Sequence, residues 1–155
     1  MEPESITANI EKEPGNYVLV LYNKQQQTIE VGKLGIIELK QGYYLYVGSA
    51  LGPGGVQARV NRHSQQNKKM HWHIDYLRAV TTLKEIWYLY SKQRYEHYLA
   101  ELLQQTKIMS VPLMGFGASD CDCQTHLFYS EQKPNFVNYK ENLSEEIDLL
   151  KLNYK

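Results

Sequence analysis

Cysteine is almost missing from this 155-residue chain: Cys121 and Cys123 are the only two. Standing one residue apart, they are badly placed to bridge each other, and two cysteines do not make a disulfide scaffold. An excess of either charge is also missing, since 17 Lys and Arg balance 17 Asp and Glu. That balance excludes an evenly basic coat and an acidic tail. No apolar run reaches the roughly 18 residues a membrane helix needs. The opening MEPESITANIEKEPG is acidic and has no apolar core, unlike a secretory signal, so the chain reads as cytoplasmic. Phenylalanine and tryptophan are scarce, at three and two residues.

Tyrosine is abundant instead, with 13 copies. Its ring fits pleated strands while its hydroxyl seeks a partner. The length and the 43% hydrophobic content suit one domain with its own core. Residues 1–13 read as a loose polar arm, and residues 14–155 as a single domain. NYVLVLYN, TIEVGKLGIIELK and GYYLYVGS alternate as strands, forming an antiparallel sheet of hairpins. LGPGG stops that sheet, and GVQARVNRHSQQ follows with helical spacing, Val56 and Val60 lying one turn apart. HIDYLRAV reads as a short helix, LKEIWYLYS as a strand and QRYEHYLAELLQQT as an amphipathic helix. HLFYS is a further short strand. From about residue 140, ENLSEEIDLLKLNYK has a cap at Asn142 or Ser144 and reads as a C-terminal helical extension. The expected class is α+β, a small, mainly antiparallel sheet flanked by helices.

If the strand holding Gly15, Asn16 and Tyr17 pairs with the one holding Tyr46, Val47 and Gly48, two phenols come side by side. The helix leaving the second strand then brings Arg59 and His63 close. A guanidinium with two phenols suits a phosphate, through bidentate charged hydrogen bonds and oriented water. Phosphodiester cleavage also calls for a divalent ion on a hard oxygen ligand. Glu96 is the candidate, with Glu101 on the same helix as its rival.

These strings resemble the GIY-YIG superfamily: GNY stands for the first motif, YVG for the second, and ARVNRH for the arginine–histidine helix. YVGSALGPGG, HWHIDYL and GFGASDCDCQTHLF are similar to a prokaryotic branch of unknown function, sometimes fused to a DNA-repair glycosylase. The likeness runs from about Gly15 to about Tyr129. It implies a divalent-metal-dependent endonuclease, a hydrolase of DNA phosphodiesters in repair or defence. Tyr17 would stand near the attacking water, and Tyr46 would polarise water or phosphate. Arg59 would steady charge on phosphorus, His63 would support the site from behind or assist proton transfer, and Glu96 would hold one Mg²⁺ or Mn²⁺. Asn16 replaces the isoleucine of the first motif, a change expected to be harmless.

Other groups complete the expected site. Between Lys40 and Lys84 there are seven Lys or Arg and one acid, Asp75, which gives a basic face despite the neutral total. Gly48, Ser49, Arg62, Lys68, Lys69 and His71 are its substrate-binding candidates. In an extended HWHID, His71, His73 and Asp75 point the same way, with His73 as an additional base. The bland reading is that the histidines are structural and Asp75 caps a turn or pairs with an arginine. Cys121, Cys123 and His126 form a soft-ligand group for zinc, His71 or His73 being the fourth ligand. Three readings therefore compete: the nuclease, a catalytically silent nucleic-acid-binding module, and a zinc-stabilised interaction domain. The chain is expected to act as a monomer or homodimer away from membranes.

Overall fold

The structure is a computed structural model that describes residues 10–65, 70, 72–105 and 126–153. Its centre is a five-stranded antiparallel sheet of β1 (Gly15–Asn23), β4 (Gly42–Ala50), β5 (Thr82–Tyr90), β6 (Leu127–Ser130) and β7 (Leu150–Asn153), ordered β6-β4-β1-β5-β7. β2 (Gln27–Val31) and β3 (Gly35–Leu39) pair as a separate ribbon. The helices are α1 (Gly55–Ser64), α2 (His73–Arg78), α3 (Glu96–Gln105) and α4 (Phe136–Glu141). The α+β class expected from the sequence is the class observed. Among the described residues no helix is long and apolar enough to cross a membrane.

Strand alternation splits the core in two. Tyr17, Leu19 and Leu21 of β1 join Val56 and Val60 of α1 and Ile74 and Leu77 of α2 in one cluster. Val18 and Val20 join Leu99, Ala100 and Leu103 of α3 and Tyr139 of α4 in the other. β1 is buried between layers, which explains why its apolar run is nearly continuous. The first hairpin differs from the sequence reading: β1 pairs with β4 and β5, while β2 and β3 pair only with each other. β1 has both edges filled by partners that match its full length, which leaves the short β2–β3 ribbon outside the sheet.

The C-terminal extension is corrected more strongly. The helix is short and earlier, capped by Asn135, whose Oδ1 accepts the Asn138 amide at 3.1 Å. Asn142 sits at its end instead of its start. The apolar residues that suggested a helix beyond it belong to a turn and to β7, which pairs with β5 from Tyr88↔Leu150 to Glu85↔Asn153. Leu150 and Leu152 alternate on one face, and the open edge of β5 supplies the backbone partners that outweigh local helix preference.

The start of the domain also lies earlier than residue 14. Ile10 is only 1% exposed. α1 has no side-chain cap, and its free amides find main-chain oxygens from this segment: Val56 N–H donates to Glu13 O at 2.8 Å and Gln57 N–H to Glu11 O at 3.3 Å. The GPGG stretch makes room for that contact. Gly55 has φ +58, and a Cβ there would stand 2.2 Å from Glu13 O. Gly55→Ala is therefore expected to lower stability by at least about 1–3 kcal/mol, and to loosen the Ile10–Glu13 segment. Urea midpoints and amide exchange at Val56 and Gln57 measure both.

Candidate active site

Antiparallel register sets Tyr17 opposite Gly48 and Leu19 opposite Tyr46. Both tyrosines thus face α1, two residues apart along the ladder. Gly48, expected to touch substrate, forms the floor under Tyr17: a Cβ there would come within 2.5 Å of the Tyr17 Cζ and Oη. Ser49 contributes its carbonyl, which accepts Arg59 Nη1 at 3.1 Å.

His63 joins the buried stripe of α1 with Val56 and Val60, and is fully closed from solvent. Its Nε2 lies 2.7 Å from Tyr17 Oη in a buried hydrogen bond. The ring centroids lie 5.3 Å from Tyr17, 6.2 Å from Tyr46 and 6.0 Å from Trp72. Arg78 Nε donates to the His63 carbonyl at 2.8 Å, so the backbone beneath the imidazole is held as well. Tyr17 was expected beside an attacking water; it is instead 1% exposed, packed in the core under Gly48's strand. Tyr46 is only partly buried, packed against the same core cluster.

The phenols report which charges surround them. Burial pushes Tyr17 up to about 12, the Arg59 guanidinium opposes this through charge and a hydrogen bond, and Glu96 and Asp75 add to the rise. Burial likewise raises Tyr46 well above the ordinary phenol, with Tyr17 and Glu96 reinforcing and Arg59 opposing. Tyr17, Tyr46, Arg59 and Glu96 are therefore close enough to act on one another electrostatically.

The two arginines of α1 have different fates. Arg62 Nη2 donates to Asp75 Oδ2 at 2.6 Å, and that carboxylate oxygen also accepts the Trp72 amide at 2.9 Å. Asp75 thus caps α2 and neutralises Arg62, the bland alternative for HWHID, and the segment is helical from His73 onward, not extended. Arg59 has no carboxylate partner among the described residues; it holds a neutral carbonyl and lies over the Trp72 ring, 4.6 Å from its centroid. Arg78 is buried, its guanidinium bound to main-chain oxygens of His63 and Thr81. Of the expected basic face, Arg59 is the α1 cation left available for an anion.

Glu96 opens α3 and is 7% exposed. Its Oε1 lies 3.4 Å from Arg94 Nη1 and its Oε2 3.8 Å from His126 Nδ1. The helix N-terminus also favours its charge. Glu101 is exposed. His126, grouped by sequence with zinc ligands, is a neighbour of Glu96. One buried carboxylate fits a hard divalent ion that takes oxygen ligands and keeps much of its water, and Glu96 is the residue that would hold it, although among the described residues no group of three or more His, Cys, Asp or Glu is gathered for an ion. Burial lowers the His73 pKa, which favours the neutral imidazole. Lys68, Lys69, His71, Cys121 and Cys123 lie outside the described residues.

Asn16 was passed over as a harmless replacement, yet it sets where Glu96 stands. It is fully buried; its Nδ2 donates to Gln93 O at 3.0 Å and its Oδ1 accepts the Tyr95 amide at 3.1 Å. The amide ties β1 to the turn that launches α3. A visible signal was an asparagine, a poor strand former, inside an otherwise apolar strand.

Two outcomes follow. Asn16→Ala strands a buried donor and acceptor, and should cost about 1–3 kcal/mol with faster amide exchange at Tyr95. Tyr17 keeps its proton to about 12 in the fold, against roughly 10 in an unfolded chain. Its stabilising contribution is whole below the unfolded value and is lost as pH rises through the folded one. Unfolding free energies should fall on raising pH above roughly 10, and Tyr17→Phe should reduce that slope.

Comparison with curated proteins and with solved structures gave no match. A family profile, described as "Domain of unknown function DUF123", matches residues 16–149, the span that carries both tyrosines, Arg59, His63, Glu96 and His126. The chain belongs to the DUF123 family.

Proposed function

We propose that this protein is a GIY-YIG-type endonuclease that hydrolyses DNA phosphodiesters with a divalent ion. The observation that carries the reading is the allocation of charge in α1. Arg62 is matched to Asp75, while Arg59 rests on a neutral carbonyl beside the Tyr17–His63 pair. A guanidinium held that way is ready for a phosphate, which offers it two charged hydrogen bonds.

Each side chain has a part in this scheme. Arg59 binds and steadies the phosphoryl oxygens as charge builds. Tyr46, only partly buried, orients the water through its hydroxyl. Tyr17, closed from solvent, acts from beneath: its bond to His63 fixes that ring, and burial keeps its hydroxyl protonated near neutral pH. His73, favoured as neutral, is an acceptor for the water's proton. Glu96, flanked by His126, would hold Mg²⁺ or Mn²⁺, and the ion when bound would neutralise charge on the attacking and leaving oxygens.

The closure of Tyr17 favours a second reading, a catalytically silent module that binds nucleic acid through Arg59. One experiment separates the two. Purified protein is given supercoiled, forked and single-stranded DNA with Mn²⁺ or with chelator. Cutting that needs metal and stops in Glu96→Gln supports the nuclease; gel shift without cutting in any condition supports the silent module.

The arginines should also separate. Arg59→Ala is expected to slow cleavage about a hundredfold or more with little loss of stability. Arg62→Ala leaves Asp75 buried without its cation, and should lower the melting temperature more than Arg59→Ala does. Single-turnover rates and thermal melts of the two variants check this contrast.

A further inference from the structure

We propose that the indole of Trp72 is a stacking platform for an unpaired nucleobase, next to the phosphate held by Arg59. The inference rests on the nucleic-acid reading above and names the form of the strand: single-stranded, or opened at the base beside the scissile phosphate.

Trp72 is only partly buried at the rim of one core cluster, whereas the other tryptophan, Trp87, is 1% exposed in the opposite core. Its face already takes planar groups at stacking range: the guanidinium carbons of Arg59 and Arg62 lie 4.6 and 4.4 Å from the ring centroid. The two cations are not equally fixed. Arg62 is anchored to Asp75 at 2.6 Å, while Arg59 is bound to a neutral carbonyl at 3.1 Å. A phosphate that draws Arg59 away from the ring uncovers aromatic surface at the same place, and a base attached to that phosphate can take it. Stacking on an aromatic face is available to every base, and Arg62 remains to flank it.

The platform is also preorganised. The Trp72 amide donates to Asp75 Oδ2 at 2.9 Å, and the Asp75 amide donates to the Trp72 carbonyl at 3.0 Å. The His63 ring stands 6.0 Å from the indole, tilted 46° to it. The indole is thus distant from Arg59 and His63 in sequence but adjacent to both in space. A base in a continuous duplex is stacked on its neighbours and cannot reach it.

The test measures binding in EDTA, where a nuclease of this kind does not cut. A labelled single-stranded oligonucleotide is titrated by fluorescence anisotropy with the unaltered chain, Trp72→Phe and Trp72→Leu. Intrinsic tryptophan emission is followed in parallel, the difference between the unaltered chain and Trp72→Phe isolating Trp72. The expected result is quenching of Trp72 emission, binding about tenfold weaker in Trp72→Leu, and a smaller loss in Trp72→Phe. An abasic oligonucleotide should bind the unaltered chain about as weakly as the intact one binds Trp72→Leu. Equal binding by Trp72→Leu overturns the platform. So does an equal loss on intact and abasic strands, which would make Trp72 a positioning residue for Arg59 only. Binding with neither quenching nor sensitivity to Trp72 leaves the nucleic-acid reading standing without the platform, and absence of binding to any strand overturns both.

Discussion

The buried hydrogen bond between Tyr17 and His63 is the constraint on which the rest of the site depends. It joins the sheet to α1 at a point where neither residue meets solvent. A 2.7 Å contact between a phenol and an imidazole leaves no slack in how α1 lies on β1. Arg59, one turn before His63, is then held over the edge of β4, where the Ser49 carbonyl meets it. The same contact requires Gly48, because any side chain at that register position would occupy the volume of the Tyr17 ring. Three elements and one glycine are thus set by a single contact between a phenol oxygen and an imidazole nitrogen.

Around that bond, charge is distributed unequally. Asp75 takes Arg62, Arg78 is buried on main-chain oxygens, and Glu96 has Arg94 and His126 at somewhat longer range. A short, partly buried charged hydrogen bond outweighs longer contacts made by an exposed arginine. The balance leaves one cation and one carboxylate less tightly matched than their neighbours, both within electrostatic reach of the two phenols. Neighbours that raise a phenol's pKa also keep it neutral, so near neutral pH both tyrosines act as hydroxyls and not as phenolates.

Much of this was legible in the sequence because it rests on local pattern. Alternation revealed β1 and β4, and the paired tripeptides placed Tyr17 and Tyr46 together. Helical spacing revealed α1 and α3. What the pattern missed depended on distant partners. Ile147 and Leu149, with Leu150 and Leu152, looked like the apolar side of a helix; only the open edge of β5 makes Leu150–Asn153 a strand. Residues 10–13 looked like a polar arm; only the free amides at the start of α1 give their carbonyls a role. The Asp75 pairing was visible as an alternative, but choosing it needed α2 to begin at His73.

Asn16 shows how a departure from a motif can carry the motif's purpose. An apolar residue at that position would pack on the α3 side of the sheet, as Val18 and Val20 do. An asparagine there is buried at a cost unless its amide is satisfied, and the turn before α3 satisfies both ends of it. The first residue of the helix that follows is Glu96, so the amide fixes a carboxylate one residue beyond its own hydrogen bond. Tyr17 and Asn16 are adjacent in β1 and point to opposite faces. One strand therefore locates the phenol through His63 and the start of the acid's helix through Tyr95, and the carboxylate and the phenol remain within electrostatic reach of each other.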